Sequence, residues 1–226
     1  MFVVTLLACL EPARLDAGEA VVSVLQDGSM ELVVGGRTTF ATAGPIEGRD
    51  FEEGVESALG IWRFSREGYA STPYDRTVGR EDGALVLEAP GSRTADLRVE
   101  AVPGGTRITL TPDQAHTSLA VPVRCDGTFH GFGAQMHVTD QKGEPPFDLF
   151  VSEQGIGRTG GLYFFTGDRH TSYFPMPWYI DARGFGVLFH TDHRTHVDLC
   201  STDADVAWIE PVAGEPLAFT VFHGPT

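Results

Sequence analysis

The chain has 226 residues, the size of one large all-β domain or two small ones, and can bury most of the surface its unfolded form exposes. Its formal net charge of -15 excludes nucleic acid and anionic membrane surfaces as partners, because phosphate binding needs clustered Lys and Arg. The 27 glycines and 14 prolines favour turns and short strands over long helices.

The start, M-F-V-V-T-L-L-A-C-L, has two readings. L-L-A-C around Cys9 loosely resembles a lipoprotein processing site, and the same residues read as a first apolar strand. Val3–Leu10 is short for a signal-peptide apolar region and lacks a basic flank, so residues 1–19 are expected to be flexible or signal-like. Both a cytoplasmic and an exported protein fit. No later segment approaches 18 uninterrupted apolar residues, so no membrane span is expected.

Beyond the start, period-2 alternation and turn signals dominate. Ala20–Leu25 and Met30–Val34 read as strands joined through Asp27-Gly28, a hairpin signal. Thr38–Ala43 continues the meander. Gly44–Asp82, rich in acidic residues, Gly and Pro, reads as extended loop with some strand. Ala84–Glu88, Ala95–Val102, Thr106–Thr111 and Ser118–Val123 follow as strands, with Pro103-Gly104-Gly105 as one turn. Later strands are expected at Gly161–Phe165, Trp178–Asp181, Gly186–His190, Thr195–Leu199, Val206–Ile209 and Leu217–Phe222. Gly186–His190 and Thr195–Leu199 read as the arms of one hairpin around Asp192-His193-Arg194. No window longer than 12 residues carries a 3.6-residue apolar period. The spacing predicts one all-β domain over 1–226, an antiparallel β-sandwich, with no linker that marks a boundary.

Cys9, Cys125 and Cys200 form no C-x-x-C pair, which argues against a thiolate zinc site. They read as reduced buried thiols, with a Cys125–Cys200 bridge conceivable in an oxidising compartment.

Three stretches are dense in chemistry. F-H-G-F-G-A-Q (129–135) alternates glycine with aromatics, and its plain reading is a glycine-bent strand. V-S-E-Q-G-I-G-R (151–158) sets Glu153, Gln154 and Arg158 on a glycine-hinged loop suited to sugar hydroxyls. Its plain reading is a surface loop with a weak Glu153–Arg158 ion pair. It is not a phosphate loop, since Gly161 stands where the Walker lysine belongs. Y-F-P-M-P-W-Y (173–179) is extended by Pro175 and Pro177, and half of its aromatics are expected in the core.

H-T-D-H-R-T-H (190–196) invites a metal reading, but His193 in a turn would not converge with His190 and His196, so no metal is expected. Asp148, Glu153, Asp168 and Asp181 are available carboxylates, yet no spacing pairs them as a glycosidase would need, and G-x-S-x-G is absent. No catalytic residue and no cofactor follow from these residues.

G-F-G-A-Q (131–135), K-G-E-P-P-F-D-L-F-V-S-E-Q-G-I-G-R (142–158) and T-S-Y-F-P-M-P-W-Y-I (171–180) together resemble the N-terminal region of glycoside hydrolase family 31. The closest branch is the α-glucosidase-like and sulfoquinovosidase-like one. Members carry G-x-G-E-Q, E-Q-G-[VI]-G-R and Y-F-P-x-P in this order. The resemblance implies a galactose-mutarotase-like β-sandwich, retaining hydrolysis of terminal α-linked sugars, and a following (β/α)8 barrel with the catalytic aspartates. No segment here matches the barrel's nucleophile motif, so the chain is expected to be an inactive accessory domain, a piece or truncation of a longer enzyme. The barrel and an α-glycoside are the implied partners. Ala134 departs from the pattern by standing where the family has Glu. Glu153, Gln154 and Arg158 shape the sugar pocket or fix the interface with the barrel. Two other readings remain: a stand-alone carbohydrate-binding module, and a mutarotase-type enzyme supported by His190 and His196.

Overall fold

The computed structural model describes residues 11–58, 60–135, 137–152, 169–212 and 216–224. Among them there is no helix, and the chain folds as antiparallel sheets. A meander opens the fold, built from β1 (Ala13–Ala17), β2 (Ala20–Val24), β3 (Met30–Val34) and β4 (Arg37–Ala41) in sequence order. Burial alternates residue by residue along β2 and β3, so Val22, Val24, Met30, Leu32 and Val34 face inward. The β2–β3 connection needs Gly28: its φ is +78°, and a Cβ there would sit 2.5 Å from the Asp75 Cα. Asp27 closes the same turn by accepting from the Ser29 backbone N–H at 3.0 Å.

The next strands are β5 (Glu47–Ala58), β6 (Ile61–Pro73), β7 (Arg76–Glu81), β8 (Ala84–Ala89), β9 (Arg93–Val102), β10 (Gly105–Pro112) and β11 (Ser118–Arg124). They are followed by β12 (His130–Gly133), β13 (Phe147–Leu149), β14 (Pro175–Asp181), β15 (Phe185–Phe189), β16 (Thr195–Leu199), β17 (Val206–Pro211) and β18 (Leu217–His223). One sheet runs β12-β14-β15-β18-β10-β9-β8-β7 and the other β13-β16-β17-β11-β5-β6. Their inner faces share one core. Leu97, Ile108, Val187 and Phe219 come from the first sheet, and Val121, Val197, Leu199 and Ile209 from the second. The meander joins this core, where Phe40 meets Phe185 and Phe219 at ring-centroid distances of 6.1 and 5.8 Å. This is the expected all-β antiparallel sandwich.

Three expectations are corrected. First, Gly44–Asp82 is strand rather than loop, and β5 and β6 form the longest hairpin of the fold. Most of its distal half is exposed, so no apolar alternation marks it. Second, Gly186–His190 and Thr195–Leu199 are not hairpin arms. β15 pairs with β14 and β18, whereas β16 pairs with β13 and β17 in the other sheet. Third, Cys125 and Cys200 are disulfide-bonded, with Cα atoms 6.0 Å apart, rather than reduced thiols. The strand expected at Gly161–Phe165 lies outside the described residues.

Candidate functional site

The glycine-bent segment behaves as its plain reading predicts. β12 is an edge strand whose register with β14 shifts between Gly131 and Gly133. Gly133 has φ of +84°, and a Cβ there would lie 2.0 Å from the Phe174 carbonyl oxygen. Phe132 also takes a positive φ, 62°, and is fully buried, stacking on Tyr179 at 5.7 Å. Ala134, at the family's Glu position, is held by its backbone. Its N–H donates to the Phe174 carbonyl at 2.9 Å, and its carbonyl accepts from the Ser172 hydroxyl at 3.4 Å. The segment therefore keeps its course without a side chain at 134.

Of the four aromatics in Tyr173–Tyr179, one rather than the expected half is in the core, and Trp178 is half-buried. Tyr179 is buried, whereas Tyr173 and Phe174 are exposed. Glu153, Gln154 and Arg158 lie outside the described residues, but both flanks of their segment are placed. Val151 and Ser172 form a parallel bridge, and the Ser152 N–H donates to the Ser172 carbonyl at 3.2 Å. The two flanks thus lie side by side at one point of the fold.

That point is the rim of a cleft of about 320 Å³ between the tip of the β5–β6 hairpin and β13. Trp62, Phe64, Phe147 and Phe150 supply its aromatic lining, and Arg63, Asp148, Ser152, His170 and Thr171 its polar groups. The hairpin tip is tied to the rim: the Ser152 hydroxyl donates to the Gly60 carbonyl at 3.1 Å. Phe150 packs edge-on against Trp62 at 5.9 Å and Phe64 at 5.4 Å. Beneath them Arg194 stacks over Phe64 at 4.1 Å and donates to Asp148, and it also pairs with Glu53. Burial pushes the Arg194 pKa down to about 10, still charged at neutral pH. His196 reaches the same Asp148 oxygen at 3.3 Å. An aromatic platform beside a fixed carboxylate and a hydroxyl is the chemistry that binds a polyol ring.

The remaining histidines and carboxylates do not converge on this cleft as a catalytic pair. His190 directly follows β15, a strand of the other sheet from that of His196, and bonds Thr220 Oγ1 at 2.7 Å. Burial and the Arg107 charge lower its pKa. His193 is half exposed beside Asp192, as the turn reading implies. Of the two histidines behind the mutarotase-type reading, His190 lies away from the cleft and His196 stands beside its Asp148. Asp181 is engaged by Arg183; burial raises its pKa, but those Arg183 bonds outweigh it and hold the carboxyl below its ordinary value. Glu153 and Asp168 are outside the described residues.

Two clusters were not legible in the sequence. On the outer face of the six-stranded sheet, fully buried Glu210 accepts from Arg49 at 2.8 Å, from Arg66 at 3.0 Å and from Ser118. Arg49 lies over Trp208 at 4.0 Å. Burial opposes the Glu210 charge, yet Arg66 and Arg49 outweigh it, so its pKa falls below the ordinary carboxylate value. Elsewhere, His137 and Glu144 of the β12–β13 connection converge with His170 of the segment entering β14. No spacing rule could have found either cluster, because each is assembled across strands or loops far apart in sequence.

Taken as a class, the chain is an antiparallel sandwich of two main sheets joined by a four-stranded meander, with an aromatic cleft between the β5–β6 hairpin tip and β13. It shares that fold with a glycoside hydrolase family 31 sulfoquinovosidase from E. rectale, solved with an aza-sugar inhibitor. The overlay has a TM-score of 0.70 at 16% identity and covers 89% of this chain but 32% of that one. The chain therefore spans about a third of the enzyme it matches, which fits an N-terminal domain of that family. A family 31 dextranase from Flavobacterium johnsoniae matches more loosely, with a TM-score of 0.36 at 15% identity over 94% of this chain and 26% of that one. No protein-family model and no curated protein matches the sequence.

Proposed function

We propose that the chain is the N-terminal accessory domain of a retaining family 31 α-glycosidase that removes terminal α-linked sugars. The catalytic aspartates belong to a (β/α)8 barrel outside these 226 residues. The overlay on the sulfoquinovosidase, close in fold and confined to a third of that chain, carries this reading. The motif order 131–135, 142–158 and 171–180 supports it independently. In this role the cleft rim delivers Glu153, Gln154 and Arg158 to the barrel, where they line the sugar pocket or seal the interface. Hydrolysis of aryl α-glucosides and α-sulfoquinovosides tests the proposal. The chain alone should stay at background, while a longer product carrying the barrel should turn over one of them. Turnover by the isolated chain overturns it. In the longer enzyme, Arg158→Ala should raise KM if the loop lines the pocket, and lower stability with KM unchanged if it seals the interface.

The aromatic cleft favours one second reading, a carbohydrate-binding module that works without a barrel. Calorimetric titration of the isolated chain with α-glucosides and sulfoquinovosides separates the two. A module gives saturable heat that Trp62→Ala removes, whereas an accessory domain gives none.

A further inference from the structure

We propose that His137, Glu144 and His170 form a binding site for a late first-row divalent cation of the Zn2+ type. The three come from the β12–β13 connection and the segment entering β14. One donor atom from each lies within 4.8 Å of the others. His137 Nε2 is 3.4 Å and His170 Nε2 is 3.6 Å from the same Glu144 oxygen. A tetrahedral ion with bonds of about 2.0–2.1 Å holds its donors about 3.3–3.4 Å apart along each edge. The first spacing matches such an edge and the second exceeds it slightly, so the N2O donor set has to contract to close on an ion.

The local chemistry agrees. Both ring nitrogens of His137 are buried and make no hydrogen bond, which costs stability unless a ligand is accepted. The His137 and His170 rings stand perpendicular, 86° apart with centroids 4.6 Å apart, so their donor lobes are not stacked away from each other. His170 lies flat on Phe147 at 3.9 Å, which fixes its plane from the side of the core. Two imidazoles and one carboxylate suit Zn2+ better than the oxygen-seeking Ca2+ or Mg2+. Arg169 now pairs with Glu144 at 2.5 Å, but its side chain is 54% exposed. The guanidinium already reaches solvent, so a dication on Glu144 can displace it into water. Three protein ligands leave a fourth position open to water or a ligand group. His170 also lines the aromatic cleft, which sets the site at the cleft's edge.

Tag-free chain stripped with chelator, titrated with Zn2+ against a chromophoric competitor, tests this directly. About one equivalent should bind, and His137→Ala and Glu144→Gln should each weaken it by about ten-fold or more. His193→Ala, at an exposed turn, should leave it unchanged. Co2+ should give the intense visible bands of tetrahedral coordination, bleached by added Zn2+. Glu144→Gln keeps the side-chain shape, so it reads the site even where His137→Ala fails to fold. Absence of stoichiometric binding, a weak octahedral Co2+ spectrum, or affinity undiminished in the two site variants overturns the proposal.

Discussion

Glu210 shows how one residue's charge depends on its neighbours. Its carboxylate is fully buried, and only Arg49, Arg66 and the Ser118 hydroxyl keep it ionised. Because its folded pKa lies below the ordinary 4.5, its contribution to stability is complete above that value. The contribution is lost as pH falls through the lower folded value, when the proton finally binds. Glu210→Gln leaves two guanidiniums without their counter-charge and should cost about 3–5 kcal/mol at neutral pH. The gap between wild type and variant should then narrow below about pH 4.5 in urea melts taken across the acid range. A gap that stays constant with pH would place the loss in packing rather than charge. The Asp50–His116–Tyr74 chain, with contacts of 3.1 and 2.9 Å, is a second polar lock, buried at His116 and Tyr74 and open to solvent at Asp50.

At the scale of elements, the sequence speaks where one face of a strand is buried. β2, β3, β8 and β10 alternate clearly and are readable. The β5–β6 hairpin is not, since its outer part stands in solvent and its register shifts between Asp50 and Glu52. The pairing of β15 and β16 was misread because proximity in sequence cannot reveal that the chain changes sheet between them. The cleft is not legible in the sequence: Trp62 and Phe64 of β6 meet Phe147, Phe150 and Asp148 near β13 by topology alone, as do Arg194 and His196. The disulfide belongs to the same scale. Cys125 follows β11 and Cys200 follows β16, and the bridge closes a separation of 75 residues. Loop-closure entropy assigns such a bridge about 4 kcal/mol. Cys125→Ser with Cys200→Ser should therefore lower Tm in calorimetry, and dithiothreitol should do the same to wild type but not to the double variant. Equal melting of all samples would show that the bridge does not form in solution.

For the molecule as a whole, the question is what covers its exposed apolar residues. Val151, Tyr173 and Phe174 are 58%, 56% and 62% exposed, and the bridge between Val151 and Ser172 brings them together. They surround the placed flanks of residues 153–168, Val151–Ser152 and Ser172. Alone in solution, such a patch should drive weak self-association, opposed by the net charge of -15. Salt screens that repulsion within about 10 Å at 0.1 M, so association should strengthen as ionic strength rises. Sedimentation velocity over a concentration series at low and high salt reads this balance, and Phe174→Ser should shift the distribution toward monomer at every salt. A monomer that persists at all concentrations and ionic strengths would instead favour the self-sufficient carbohydrate-binding module, because a domain built to pack against a barrel has no other way to hide this surface.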